Sequence, residues 1–384
     1  MLSDPQSFAH YTMMQRWTAI GQRVLTDHPL PPDRARSLQA LIAELPQGQI
    51  RLLRDEGADR VAWDSYLAPY VGKTWAEMPW WVAEVYFYRR LLEATGYFQP
   101  GDWHGVDPFW ASKQQSLETA MTLMPQLWPA AANTQPDRSH LQRLFHTALW
   151  GNQIDLSLKP RSLATQTPEP ADDRLLVDDT AAVIDRLWQE RPQTMDLIAD
   201  NAGIELVCDL CLIDALLEYN ITHEMYVHLK AHPTFVSDAT IPDALYTLET
   251  LAAHSDAAVQ ALATRLQNYL VTDRLFFLTH PFWTAPLPFW ELPAHLKQEM
   301  AQSGLVVIKG DANYRRLLGD RQWPFTTPFA DITSYFPAPF LALRSLKAEL
   351  AAGLTADQIA RLNQTDPEWL TNGNWGVIQQ GGLA

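Results

Sequence analysis

The second half of the chain carries a series of short apolar runs that limit it to few folds. "TMDLIAD", "EMYVHLK", "DRLFFLT", "GLVVIKG" and "PFLALRS" are near-continuous in hydrophobicity rather than alternating. A strand that reads apolar throughout is covered on both faces. Helical-period stretches at 203–218, 241–253, 256–270 and 292–303 separate these runs. Strands alternating with helices predict a mostly parallel sheet with helices on both sides, an α/β/α arrangement.

The first half has a different texture. Residues 3 to about 155 read as helices, among them "PDRARSLQALIAEL" from Pro32, "TWAEMPWWVAEVYFYRRLLEATGYF" and "DRSHLQRLFHTALWGN". Trp75, Trp80, Trp81, Trp103 and Trp110 fall here, and most are expected to pack in a core, because aromatic side chains bury large areas. The stretch "LKPRSLATQTPEPADD" at 158–173 has no periodicity and many Pro, Ser and Thr residues, as an exposed connection would. The expected organisation is a helical domain over 1–157, a connection over 158–173 and an α/β/α domain over 174–384.

Charge and motifs remove several function classes. A net charge of −15 over 384 residues argues against nucleic-acid binding, which needs a basic face. It does not exclude a small anionic ligand, since a few local cations or one metal reverse the sign within a pocket. The start "MLSDPQSFAHYTMMQRW" lacks the pattern of a signal peptide, and no apolar run approaches 18 residues. The expectation is a cytoplasmic protein with no membrane association. The only cysteines, Cys208 and Cys211, lie among Leu206, Val207, Leu210 and Ile213 at helical spacing, as buried structural thiols do. G-x-x-x-x-G-K-[ST], G-x-G-x-x-G and G-x-S-x-G are absent. The "LLVDDTAA" run has adjacent acids where a phosphatase D-x-D-x-T loop spaces them, and reads as a helix start.

In a parallel α/β sheet, ligands bind beyond the carboxyl ends of the strands. Those ends carry a coherent set of side chains. Asp200 and Asn201 close the first run, and Ser237 and Asp238 follow the second. Lys309, Gly310 and Asp311 close "GLVVIKG", while "PFLALRSLKAE" delivers Arg344, Ser345 and Lys347. Each has a bland reading. Asp200-Asn201 and Asp238 precede helices as N-caps do, and Arg315-Arg316 fits a solvated helix face. Together they are complementary, with hard oxygen ligands suited to Mg²⁺ or Mn²⁺ on one side and cations with a helix start suited to phosphate on the other.

The segments "DNAGIELVCDL", "KAHPTFVSDAT", "VIKGDANYRRLLGDRQW" and "LRSLKAE" resemble those of the damage-control metal phosphatases, formerly domain of unknown function eighty-nine. The match is to the third subfamily, the acidic-residue methyltransferase-like group. "WWVAEVYFYRRLLEATGYF", "DPFWASK" and "LWGNQIDLSL" agree as well, so the resemblance spans roughly residues 70 to 355. It implies a helical N-terminal domain on a Rossmann-like three-layer domain, and a metal-dependent hydrolysis of small phosphorylated metabolites such as sugar phosphates. The implied metal ligands are Asp200, Asn201 and Asp238, for Mn²⁺ or Mg²⁺, with Co²⁺ and Ni²⁺ as further candidates. The implied substrate-binding residues are Asp311, Asn313, Tyr314, Arg315, Arg344 and Lys347. Asp200, Asn201, Asp238 and Lys347 would carry catalysis; Asp155 and Glu205 read either as support behind them or as plain helix-capping residues.

Two departures bear on substrate preference: Ser345 stands where the R-T-x-K pattern has Thr, and Ala312 where D-L-N-Y has Leu. The attacking group stays open between a water and one of the aspartates. The resemblance also raises a rival activity, carboxyl methyl transfer from S-adenosylmethionine, and a non-catalytic sugar-phosphate-binding module is the other alternative. Oligomeric state is not legible in the sequence.

Overall fold

A computed structural model describes residue 4 and residues 7–128, 137–157 and 172–382. Residues 158–171 of the expected connection lie outside the described residues, as does the side chain of Asp155. Seven strands form one sheet. They are β1 (Leu175–Asp178), β2 (Thr194–Ile198), β3 (Glu224–Leu229), β4 (Leu275–Thr279), β5 (Val306–Lys309), β6 (Phe340–Ser345) and β7 (Gly376–Gly381).

Their order is β1-β7-β6-β5-β2-β3-β4. Strands β2 to β6 pair in parallel, β7 runs antiparallel to β6, and β1 pairs in parallel with β7. The apolar runs of the sequence are β2 to β6. The predicted helical stretches appear as Ile204–Glu218, Ile241–Ala252, Ala257–Val271 and Ala294–Met300. "LLVDDTAA" is strand β1 followed by the helix Thr180–Glu190, so the helix start was legible and the strand before it was not.

The chain forms two compact units. One comprises residues 1–113, 231–238 and 281–287, the other 114–230, 239–280 and 288–384. The helix Arg138–Ser157, which the sequence groups with the N-terminal helices, belongs to the α/β unit. Its Leu141, Leu144, Phe145 and Ala148 share one core with Leu206, Leu210 and Ile213 of Ile204–Glu218. That second helix is buried at every residue from Ile204 to Leu217. A helix apolar on all sides needs cover on all sides, and helix Arg138–Ser157 contributes to that cover. Cys208 and Cys211 are free, and burial pushes both thiols up, so they are packing atoms rather than nucleophiles.

The helical unit has an aromatic core and buried ion pairs, among them a cluster around Arg89. Trp17 stacks on Phe87 at 5.2 Å, and Trp75 on Tyr86 at 5.0 Å. Trp75 and Trp81 are buried as expected, Trp80 and Trp103 are half-buried, and Trp110 lies at the surface. Buried Arg89 donates to Asp55 at 2.6 and 2.8 Å and to Asp59 at 2.8 Å, beneath the face of Phe98. Burial alone would raise the Asp59 carboxyl; His232 and Arg89 more than reverse this and hold it well below the usual carboxylate range.

Candidate active site

The sheet order sets the location. From β2 the chain builds outward to β3 and β4, whereas β5 and β6 lie on the other side of β2. Strand order therefore switches between β2 and β5, where an open α/β sheet leaves a crevice for a ligand. Asp200 and Asn201 follow β2, and Gly310 and Asp311 follow β5. The two strands are paired up to Ile198 and Ile308. Asn313 ties their ends together, its Nδ2 donating to the carbonyls of Ala199 (3.1 Å) and Lys309 (2.8 Å).

Neither candidate acid is a helix cap. The N-cap of Ile204–Glu218 is Gly203, in a left-handed conformation at φ 71°, and Ser116 Oγ accepts the Ile204 N–H at 3.3 Å. The N-cap of Ile241–Ala252 is Thr240, which forms a capping box with Asp243. The conformations that would have explained Asp200, Asn201 and Asp238 as caps are occupied by other residues. All three are buried, where a polar side chain needs partners.

Asn201 Nδ2 lies between two carboxylates, donating to Asp200 Oδ2 at 2.9 Å and to Glu205 Oε2 at 2.9 Å. With its nitrogen committed to the acids, its amide oxygen is the atom turned elsewhere. Glu205 is held in turn by Lys309, whose ammonium donates to Glu205 Oε1 at 3.1 Å and to Asp209 Oδ1 at 2.6 Å. Burial disfavours the Lys309 ammonium, but Asp209 and Glu205 override it and hold the lysine above its ordinary range. Lys309 is thus spent inside the fold and is no phosphate ligand. Asp209 has no counterpart among the expected site residues. Its only signal in the sequence was one charge inside the apolar run "VCDLCL".

Gly310 completes this side. Its φ is +84°, and a Cβ there would be driven into the Asp200 carboxylate. Gly310→Ala therefore meets a left-handed backbone penalty of ~1–2 kcal/mol and must also displace Asp200. The expected result is a lower melting temperature together with weaker Mn²⁺ binding. Wild-type Mn²⁺ affinity in this variant would show that Asp200 is not held where a cation needs it.

A second group of side chains is built on Asp311, second residue of the helix Gly310–Leu318. Its Oδ1 accepts from Arg344 Nε at 2.7 Å and from the Lys347 backbone N–H at 3.1 Å. Burial would raise the Asp311 carboxyl, yet Arg344 and Arg315 pull it below the ordinary value. Arg344 is fully engaged, its other nitrogens donating to the carbonyls of Leu350 (2.7 Å) and Ala348 (3.1 Å), with the Tyr314 ring 4.4 Å away. Tyr314 donates to Gln379, and Arg315 pairs with Asp320 at 2.7 Å. These side chains hold that group together. The Lys347 ammonium, by contrast, makes no ion pair or hydrogen bond among the described residues.

Asp238 belongs to the helical unit, at the end of its segment 231–238. The residues before it are strained: Phe235 and Val236 adopt φ of 47° and 68°, which a β-branched residue seldom does. Phe235 is gripped by Trp81 at 5.5 Å and Tyr88 at 5.0 Å. Asp238 is joined by its peptide bond to Ala239, whose N–H donates to the Asp200 carbonyl at 2.8 Å.

Among the described residues no three His, Cys, Asp or Glu side chains stand together as a ready metal cluster. The donor types gathered beyond β2 are carboxylate and amide oxygen, the hard ligands that suit Mg²⁺ and Mn²⁺. Carboxylate and amide oxygens beyond β2, with an ammonium beyond β6 at Lys347, are the donor types that a metal-assisted enzyme of anionic substrates uses.

Comparison with known proteins identifies the family. Residues 12–362 match the family described as the damage-control phosphatase ARMT1-like domain. The chain is 32% identical over 361 residues to damage-control phosphatase ARMT1 of Danio rerio, covering 85% of this chain and 80% of that protein. It is 34% identical over 329 residues to the Rattus norvegicus protein of the same name, covering 79% and 74%. A crystal structure of a DUF89 family protein from Pyrococcus horikoshii shares the fold, with a TM-score of 0.52 at 16% identity over 91% of this chain and 96% of that one. The chain belongs to the damage-control phosphatase ARMT1-like family and is a metal-dependent phosphatase. Among the described residues no helix is long and apolar enough to cross a membrane.

Proposed function

We propose that the protein hydrolyses small sugar phosphates, of the fructose or ribose phosphate kind, in the cytoplasm. Asp200, Asn201 and Asp238 would hold one Mn²⁺ or Mg²⁺, or in their place Co²⁺ or Ni²⁺. Bound there, the cation supplies Lewis-acid neutralisation of phosphate charge. The protein's own residues do the rest. Glu205 and Lys309 fix Asn201 so that its amide oxygen faces outward from the acids. Asp311, locked by Arg344, sets the start of helix Gly310–Leu318, whose first amides suit phosphate oxygens. Asn313, Tyr314 and Arg315 stiffen that segment, and Lys347 donates a positive charge to the phosphate.

The observation that carries this reading is the Lys347 ammonium. Its backbone is pinned to Asp311 while its charge is uncompensated among the described residues. Phosphoryl transfer is catalysed mainly by positioning and charge neutralisation, and an uncommitted ammonium supports that role for Lys347.

Lys347→Ala is therefore expected to lower kcat/KM for fructose or ribose phosphates about a hundredfold, the scale for losing one oriented donor. Mn²⁺ titration should stay near wild type, because an ammonium is no ligand to a cation. Steady-state rates and a metal-binding isotherm on the same preparation check both halves. Unchanged kinetics would mean that the phosphate sits elsewhere.

A further inference from the structure

Two histidines face each other at the β4 edge of the sheet, two strands away from β2. His280 follows β4 directly, and His295 lies in the helix Ala294–Met300. Their Nε2 atoms are 3.2 Å apart, with ring centroids at 5.0 Å and planes inclined at 57°. Two nitrogen ligands on one tetrahedral cation at ~2.0–2.1 Å stand roughly 3.3 Å apart. The observed separation is therefore close to that of two ligands sharing a metal. It also lies at the long end of the hydrogen-bond range, at about 3.2 Å, so binding rather than distance decides between the two.

The surroundings suit a cation. Burial and the neighbouring His295 hold the His280 imidazole below its ordinary value, while Glu299 opposes them. A neutral imidazole is the form that ligates. Glu299 lies one helical turn beyond His295 and adds negative potential, on a chain whose net charge is −15. Imidazole nitrogen favours Zn²⁺, Ni²⁺ and Cu²⁺ and gives little to Mg²⁺.

We propose that His280 and His295 form a binding site for a borderline transition cation such as Zn²⁺, with water completing the coordination. The site is chemically distinct from the oxygen ligands at Asp200 and Asn201 and does not depend on them. Two protein nitrogens leave it open to exchange rather than structural.

Equilibrium dialysis of the full chain against Zn²⁺, after metal stripping, tests this. Wild type, His295→Ala, Asp200→Asn and the double variant are compared. His295 is exposed, so its removal should leave the fold and the Mg²⁺-supported phosphatase rate unchanged. The expected result is one fewer zinc ion bound per chain in His295→Ala than in wild type, and the same difference in the Asp200→Asn background. Asp200→Asn alone should leave the histidine-dependent zinc in place, whatever becomes of the crevice. Equal zinc stoichiometry and affinity with and without His295, in both backgrounds, would overturn the proposal and leave the pair as a hydrogen bond.

Discussion

Asp200→Asn should yield a folded protein that has lost most of its turnover. The substitution removes one negative charge and little else. Asn keeps an oxygen to accept the hydrogen bond from Asn201 Nδ2, and the helix cap is Gly203, so capping is untouched. Were the residue a cap, the exchange would be silent anyway, because Asn caps as well as Asp. A lost metal ligand predicts a rate lower by on the order of a hundred- to a thousandfold, with weaker Mn²⁺ binding.

Without metal, the variant should melt at or above the wild-type temperature. Asp200 shares the Asn201 amide with Glu205, and two carboxylates with no cation between them repel. Asp238→Asn should behave alike, and the double variant should lose no more than either single one, since each breaks the same site. Rates, Mn²⁺ isotherms and metal-free melts of the three variants decide. Near-normal turnover in Asp200→Asn would remove this residue from the metal.

Much of this arrangement was legible in the sequence because it rests on periodicity. Strands β2, β5 and β6 are buried almost throughout, a pattern that cannot be mistaken for a solvent-exposed hairpin, whereas β4 at the sheet edge is partly exposed despite its apolar run. Asp200, Asp311 and Lys347 stood out because they follow such runs. β1 and β7 were missed for physical reasons. β1 is four residues long and ends in Asp178. β7 reads "GVIQQG", and its Gln379 is buried only because Tyr314 and the Ala352 carbonyl satisfy the amide.

The division into units was not legible either. An amphipathic helix such as Arg138–Ser157 shows that it covers something, but not which core it covers. Lys309 looked like a phosphate ligand because its partners, Glu205 and Asp209, lie a hundred residues away in sequence. Ion pairing of that range leaves no periodic trace.

Lys309→Met is the largest stability effect expected. It leaves the Glu205 and Asp209 carboxylates buried without their cation, and breaking a buried pair in this way costs about 3–5 kcal/mol. For a chain of this size each kcal/mol corresponds to roughly 2–4 °C in melting temperature. The loss should also depend on pH. Burial already pushes the Asp209 carboxyl up against the pull of Lys309, so removing the ammonium pushes it higher.

A carboxyl whose folded pKa exceeds its unfolded value binds a proton in the native state. Stability then falls as pH rises from the unfolded value towards the folded one. The variant should therefore lose more stability relative to wild type at pH 8 than at pH 5. Adding Asp209→Asn should recover part of the loss. A melting temperature within a degree or two of wild type at both pH values would mean that Lys309 carries no such charge balance.

The proposed site makes hydrolysis of phosphate monoesters depend on a divalent cation held by Asp200, Asn201 and Asp238. The direct measurement is phosphate release from a panel of fructose and ribose phosphates. The wild-type protein is stripped of metal, then given Mg²⁺, Mn²⁺, Co²⁺ or Ni²⁺ in turn, with S-adenosylmethionine-dependent methyl transfer followed in parallel. The expected result is no release from the stripped protein, turnover restored by at least one of the cations and abolished again by chelator, and no methyl transfer at a comparable rate. Full phosphatase activity after stripping, or methyl transfer without phosphate release, would contradict it.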